Sequence, residues 1–220
     1  MSTSPKAALL EEFALVARAL SAPHRLAILE QLAQMERSVE ALAGRVNLSV
    51  ANCSQHLQQL RRAGLVTSRR EGKQVFYRLS DDRTVALMGM IVRVAERNLA
   101  EVDRILRGLA GGETPPEPLG RDALAEALAE GSVVVLDLRP VDEFTAAHIP
   151  GARNVRLEDL EALAPDLKGR EIVAYCRGGY CVLAHQAVTR LRQMGLAARR
   201  LNGGLPDWRA EGRPVVMAGG

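Results

Sequence analysis

The sequence predicts two domains, a mainly α winged helix-turn-helix followed by an α/β domain built on a parallel sheet. Three observations carry this. Apolar residues recur at helical spacing through most of the first half and lead into a basic hairpin pattern. A Gly/Pro-rich stretch, GLAGGETPPEPLG at 108–120, then interrupts the chain, and Pro115-Pro116 cannot continue a helix. Beyond it, buried-strand runs alternate with helices, and one strand runs through a glycine-rich turn into a helix. The domains are therefore expected at 1–107 and 121–220, with 108–120 as the linker.

In chain order, Leu9, Phe13, Val16 and Leu20 mark a first helix. Ser21 is expected to cap a second, with Pro23 in its first turn and Leu26, Leu29 and Leu32 or Ala33 on one face. Ser38 opens a short helix through Ala43. Ser49 opens another, with Val50, Cys53, Leu57 and Leu60 at helical spacing, closing near Gly64. Leu65–Thr67 and Val75–Leu79 read as strands around the basic turn RREGKQ. One long helix is then expected from about Asp82 to Leu109. Its Met88, Val92, Ala95, Leu99, Val102, Leu106 and Leu109 alternate steps of four and three, a heptad seam that points to a homodimer. In the second half, Val133–Leu138 and Glu171–Cys176 read as strands, Val182–Met194 as a helix, and Arg199–Leu201 as a third strand ending at Gly203-Gly204.

The chain carries a net charge of +3, unevenly spread. Residues 1–110 hold 16 Lys+Arg against 11 Asp+Glu, while 111–220 hold 13 against 15. Between Arg45 and Arg78 lie seven basic residues and one acid, Glu71. Such a stretch suits a polyanion, since neutralised phosphates release counterions; it also suits a solvated surface. The three cysteines, Cys53, Cys176 and Cys181, are too few for a disulfide framework, and no apolar run approaches a membrane span. A soluble, cytoplasmic protein is expected, with no membrane partner.

The helix opened by Ser49 occupies the place of a major-groove reader, and the hairpin that of a wing. Ser49, Asn52, Ser54, Gln55, His56 and Gln58 supply hydrogen-bonding groups for bases, and Arg69, Arg70 and Lys73 supply charge for phosphates. Here the stretches LSAPHRLAILEQL and LAGRVNLSVANCSQHLQQLRRAGLVTSRREGKQVFYRLS resemble the ArsR-type winged-helix repressors over residues 10–107. The resemblance implies a homodimer on a double-stranded operator with an inverted repeat. The chain departs from that family's metal sites. Ser38-Val39-Glu40 stands where thiolate-ligand members carry a cysteine pair, and the last helix has no histidine, so no metal is expected. His24 is read as a packing residue. Cys53 reads either as a small core residue or as a modifiable thiol in the reading helix.

In the second half, a cysteine at a strand's end, followed by a glycine loop opening into a helix, suits a thiolate nucleophile. Loop N–H groups and the helix N-terminus favour negative charge there. Arg177 adds a cation, and Gly178 and Gly179 allow tight folding around the sulfur. The stretches VLDLRPVDEFTAAHIPGARNV, YCRGGYCVLAHQAVTRLRQMG and RRLNGGLPDWRAEGRPV resemble the rhodanese family over about 120–217. The motifs are Asp137-x-Arg139, Glu143-Phe144, His148-Ile149-Pro150-Gly151-Ala152, the Cys176 loop, and Gly203-Gly204 with Trp208. The resemblance implies a rhodanese-like parallel sheet with Cys176 holding sulfane sulfur as a persulfide, drawn from a donor such as thiosulfate or a polysulfide, without a cofactor. The loop Cys176-Arg177-Gly178-Gly179-Tyr180-Cys181 has six residues, the length that goes with sulfur transfer; related phosphatases and arsenate reductases use one residue more.

Cys181 is unusual at its position, and reads as a disulfide or trisulfide partner of Cys176 or as a passive small residue. Asp137 and Arg139 are expected to hold the loop through an ion pair. Trp208 is expected against the sheet, His148 and Gly151 in a turn, and His185 in a surface or packing role. Joined, the halves suggest a DNA-binding regulator, expected to repress, whose rhodanese domain senses reactive sulfur. The alternatives are a sulfurtransferase uncoupled from DNA binding, sulfur delivery from Cys176 to Cys53 of a partner chain, and an arsenate-responsive regulator.

Overall fold

Three serines with extended backbone start three helices of the N-terminal half. Ser4, Ser38 and Ser49 each accept an N–H from the third residue onward, at 3.2, 3.3 and 3.2 Å. Each satisfies an amide donor that the first turn leaves without a partner, typically worth about 1 kcal/mol. The structure, a computed structural model, describes residues 4–109 and 116–217. It forms two compact units that divide between Val85 and Ala86.

The first unit contains α1 (Pro5–Leu20), α2 (Pro23–Gln34), β1 (Arg37–Ser38), α3 (Val39–Arg45), α4 (Val50–Arg62), β2 (Val66–Glu71) and β3 (Gln74–Leu79). Ser21 does not cap α2. It ends α1, its hydroxyl donating to the Arg18 carbonyl at 2.8 Å, and Ala22 opens α2 without a side-chain cap. Pro23 makes this start workable, because its missing N–H needs no partner there. Ile28, Leu29, Leu42, Cys53, Leu57 and Leu60 are fully buried and form the core, whereas Val50, on the apolar spacing of α4, is exposed. The hairpin pairs Val66 with Leu79 through Glu71 with Gln74, around Gly72 at φ 58°. The two-residue strand β1 adds to its other side, Arg37 opposite Tyr77 and Ser38 opposite Phe76, giving sheet order β1-β3-β2.

Helix α5 (Arg83–Asn98) begins at the end of the first unit, and from Ala86 onward it belongs to the second. The single long helix expected to Leu109 is instead α5 and α6 (Ala100–Leu109), parted at Leu99. Asn98 turns its amide back onto the Val94 carbonyl at 2.8 Å, a side-chain bond that competes with the helical ladder. The expected seam is not a uniform outer face. Met88 is buried and Leu99 is exposed, while Leu87, Met90, Ile91 and Val94 form the exposed apolar stripe. Of the expected linker, residues 110–115 lie outside the described residues.

The rest of the second unit runs α7 (Arg121–Glu130), β4 (Val133–Asp137), α8 (Val141–Ala146), β5 (Ala147–His148), β6 (Arg153–Asn154), a 3-10 turn (Leu157–Asp159), α9 (Leu160–Leu167), β7 (Glu171–Tyr175), α10 (Val182–Gln193), β8 (Ala198–Arg200), α11 (Leu205–Ala210) and β9 (Val216–Met217). A parallel sheet of order β6-β4-β7-β8 lies at its centre, and β5 pairs antiparallel with β9. Strand alternation builds one core on each face of this sheet. Val134, Leu136, Ile172 and Ala174 face Leu160, Leu167, Val188 and Leu191, while Val133, Val135, Val173 and Tyr175 face Leu124, Leu205 and Trp208. Trp208 is buried against that second face and donates its indole N–H to the Pro214 carbonyl at 2.8 Å.

Candidate functional site

Two sites stand out, one in each unit. In the first, α4 carries Ser49, Asn52, Gln55 and Gln58 exposed, with Ser54 and His56 half-buried. The Ser49 hydroxyl accepts from the Asn52 N–H as the helix cap, which commits part of its hydrogen-bonding capacity. His56 lies beside His24, ring centres 5.7 Å apart, and its pKa is lowered by burial, then by Arg25 and His24. Arg25, which the sequence did not single out, is buried. It binds the Arg18 and Ala19 carbonyls at 2.6 and 2.5 Å and Gln59 at 2.7 Å, tying the end of α1 and α2 to α4.

The wing cations are not equivalent. Arg69 is held by Glu36, at 2.8 Å, and by Glu71, and it lies over the Phe76 ring at 4.8 Å. The two carboxylates raise its pKa. Arg70 donates to the Gly72 carbonyl at 3.1 Å, and Lys73 occupies the exposed tip. Cys53 is fully buried, and burial followed by the Glu40 charge pushes its thiol up to about 11. That is the core-residue reading, with no thiolate at neutral pH. Among the described residues no cluster of three or more His, Cys, Asp or Glu could hold a metal.

In the second unit, Cys176 follows β7 at the point where the sheet ends, and Cys181 immediately precedes α10. Their Cα atoms are 6.1 Å apart and their sulfurs are bonded as a disulfide across the loop. The Cys181 N–H donates to the Gly178 carbonyl at 3.1 Å, closing the turn. Glycine at 204 is required by close approach. A Cβ there would lie 2.5 Å from the Cys176 carbonyl oxygen and 2.6 Å from the Gly178 nitrogen, both backbone. The Leu205 N–H donates to that same Cys176 carbonyl at 3.3 Å, and Asp207 holds the Gly204 N–H at 2.8 Å.

The charged residues divide into two groups. Arg177 turns to Glu143 of α8, making bonds of 2.8 and 3.0 Å to a fully buried carboxylate, so its charge is compensated. Asp137 and Arg139 are also fully buried. They bind each other at 2.6 Å, and Arg139 donates to the Ala147 carbonyl at 2.7 Å while lying over the Tyr175 ring. Asn154 donates to the carbonyls of Asp137 and Arg139, and Tyr175 accepts the Ile149 N–H. The pair thus ties β4 to β5, β6 and the base of β7. Arg200 and His185 form the other group. Arg200 donates to the Gly179 carbonyl at 2.7 Å, and the His185 Nε2 lies 3.3 Å from the same oxygen. His185 is buried rather than at the surface, and burial, then the Arg200 charge, lowers its pKa to about 4. His185 comes from the first turn of α10, directly after the loop, whereas Arg200 returns to the loop from β8 and was not singled out by any motif.

Comparison with known proteins matches these two units. A helix-turn-helix domain family model covers residues 20–69, and a rhodanese-like domain model covers 121–211. HTH-type transcriptional regulator Rv0324 of Mycobacterium tuberculosis is 40% identical over 211 residues, spanning 96% of this chain and 92% of that protein. The chain belongs to the ArsR-family helix-turn-helix regulators that carry a C-terminal rhodanese domain. Its first part is similar to the homodimeric winged helix-turn-helix DNA-binding domain of Mb0332 from Mycobacterium bovis, at 39% identity and TM-score 0.41, covering 45% of this chain and 92% of that one. Its second part is similar to a rhodanese-related protein of Thermoplasma volcanium, at 27% identity and TM-score 0.41, covering 46% of this chain and 97% of that one. Among the described residues no helix of this family member is long and apolar enough to cross a membrane.

Proposed function

We propose that this ArsR–rhodanese regulator is a cytoplasmic homodimer that binds an inverted-repeat operator and answers reactive sulfur through Cys176. The observation that carries the reading is the placement of Cys176 and Cys181 face to face across one glycine loop, at the end of a parallel strand and the start of α10. The reduced Cys176 thiolate attacks the outer sulfur of thiosulfate or a polysulfide. The donor's S–S bond breaks, sulfite or a shortened polysulfide leaves with the electron pair, and Cys176 becomes a persulfide. The Cys181 thiolate then attacks the Cys176 sulfur, forms the disulfide and expels hydrosulfide. Sulfane sulfur is the oxidant, and no cofactor is required.

DNA recognition is assigned to Asn52, Gln55 and Gln58 at bases, with Ser49, Ser54 and His56 beside them, and to Arg70 and Lys73 at phosphates, with Arg69 in a lesser role. Homodimerisation rests on uncovered apolar surface: Leu9, Leu10 and Phe13 on α1, and Leu87, Met90, Ile91 and Val94 on α5. The domains 1–107 and 121–220 are kept as functional parts, α5 serving assembly while its chain contacts lie with the second unit. Delivery of sulfur to Cys53 is disfavoured, because that thiol is buried and protonated.

The test is operator affinity at fixed salt, for reduced protein and after polysulfide treatment, in wild type and Cys176→Ser. A shift of tenfold or so in wild type, absent from the variant, is expected. An equal shift in both would remove Cys176 as the sensor. Steady thiosulfate turnover with unchanged affinity would make the rhodanese half an uncoupled sulfurtransferase.

A further inference from the structure

The Gly179 peptide is held from outside the loop by two side chains, and only one of them carries charge. Arg200 donates to its carbonyl at 2.7 Å, and His185, kept neutral by burial and by Arg200, lies 3.3 Å from the same oxygen. A trans peptide is planar, with C=O and N–H on opposite sides. Pulling the Gly179 carbonyl toward Arg200 therefore turns the Tyr180 N–H the other way, and a cation on the oxygen polarises that N–H toward a better donor. No carboxylate lies within ion-pairing distance of Arg200 among the described residues. The Glu96 charge acts on it from α5, and its own pKa is lowered by burial.

We propose that Arg200 is a positioning residue for sulfur chemistry: through the Gly179–Tyr180 peptide it stabilises the anion at Cys176, thiolate or persulfide. The other charges around the loop do not serve this purpose. Arg177 is compensated by Glu143, and Arg139 by Asp137. Asp207 of α11 holds the Gly204 N–H, and its pKa is raised by burial. His185 is neutral across the working range. Arg200 is thus the one cation that reaches the loop without a paired carboxylate, among the described residues. Its backbone neighbour Leu201 continues β8 beside β7 by donating to the Ala174 carbonyl at 3.0 Å, so the guanidinium springs from a fixed strand.

This assignment rests on Cys176 being the reacting sulfur, and its test separates the two claims. In full-length protein carrying Cys181→Ser, reduced, the pH dependence of Cys176 alkylation is measured for the parent, Arg200→Met and Arg200→Lys. Arg200→Met is expected to raise the Cys176 pKa enough to slow alkylation below neutral pH about tenfold. Arg200→Lys keeps the charge and is expected to recover most of that loss. An unchanged profile in Arg200→Met with a native circular dichroism spectrum overturns the proposal, as does a lysine variant as slow as the methionine one. Should Arg200→Met fail to fold, Arg200→Gln, which keeps a donor to Gly179 but no charge, carries the same expectation. Persulfide mass on wild-type Cys176 after polysulfide is read in parallel. Its absence alongside a shifted profile removes the sulfur reading and leaves the Arg200 assignment; its presence with no shift does the reverse.

Discussion

Cys53 and Cys176 are equally hidden, at 0% and 1% exposed, and their surroundings differ in kind. Cys53 sits among Leu57 and Leu60 on the buried side of α4, where burial and Glu40 both disfavour a thiolate. Cys176 sits where a strand gives way to a glycine loop, with a partner sulfur across the turn and a guanidinium on the loop's outer carbonyl. On the proposed reading of Cys176, burial alone does not decide whether a cysteine is inert. The polar groups that share the burial decide it.

That contrast can be broken most forcefully at the frame beneath the loop. Arg139→Met leaves the Asp137 carboxylate buried without its partner, and loss of half a buried pair typically costs about 3–5 kcal/mol. Thermal unfolding should shift strongly, and a change of a degree or less would show that the pair does not hold the sheet end. Gly204→Ala is next. Its methyl would meet backbone at 2.5 Å, which cannot swing aside. A penalty of about 1–3 kcal/mol is expected, together with altered Cys176 alkylation. Cys176 reactivity identical to the parent would mean that the 203–207 turn does not shape the loop.

The contrast can also be sharpened by pH. The Cys53 thiol titrates at 9.0 when unperturbed and at about 11 in the fold, so the unfolded chain loses this proton first. Its contribution to stability is fully present below about pH 9 and is lost as the pH rises toward about 11. Cys53→Ala should flatten that part of the denaturation profile relative to wild type. Under reducing conditions at mild pH, alkylation should mark Cys176 and spare Cys53. Prompt labelling of Cys53 in folded protein would sink the core reading and reopen sulfur delivery to it.

How much of this was legible in the sequence follows the range of the interactions involved. Ser38 and Ser49 announce their helices because a cap bonds only three residues away. The hairpin is equally local, and the six-residue cysteine loop carries its own motif. Ser21 misled because the serine between α1 and α2 can serve either end, and Pro23 removes the need for a cap on α2. Strand β1 is two residues long and exists only by pairing with Phe76 and Tyr77. The heptad steps found a long amphipathic segment but not the break at Leu99 nor which apolar stripe is covered, since neighbours decide both. Arg200 was invisible for the same reason: the chain returns it to the loop from β8, and no spacing records that.

The smallest expected effect lies in the wing, where the same distinction between compensated and uncompensated charge can be tested on DNA. Arg69 is claimed by Glu36 and Glu71 and stacked on Phe76, whereas Lys73 stands at the exposed tip. A phosphate would have to compete with two carboxylates for Arg69. Each phosphate contact adds close to one unit to the slope of log affinity against log salt. Lys73→Ala should therefore lower that slope by about one, with little change in base preference. Arg69→Ala should lower it by less, because Glu36 and Glu71 already engage this cation and leave it less able to neutralise a phosphate. Equal losses at the two positions would mean that DNA draws Arg69 away from its carboxylates, and the wing would have to rearrange on binding.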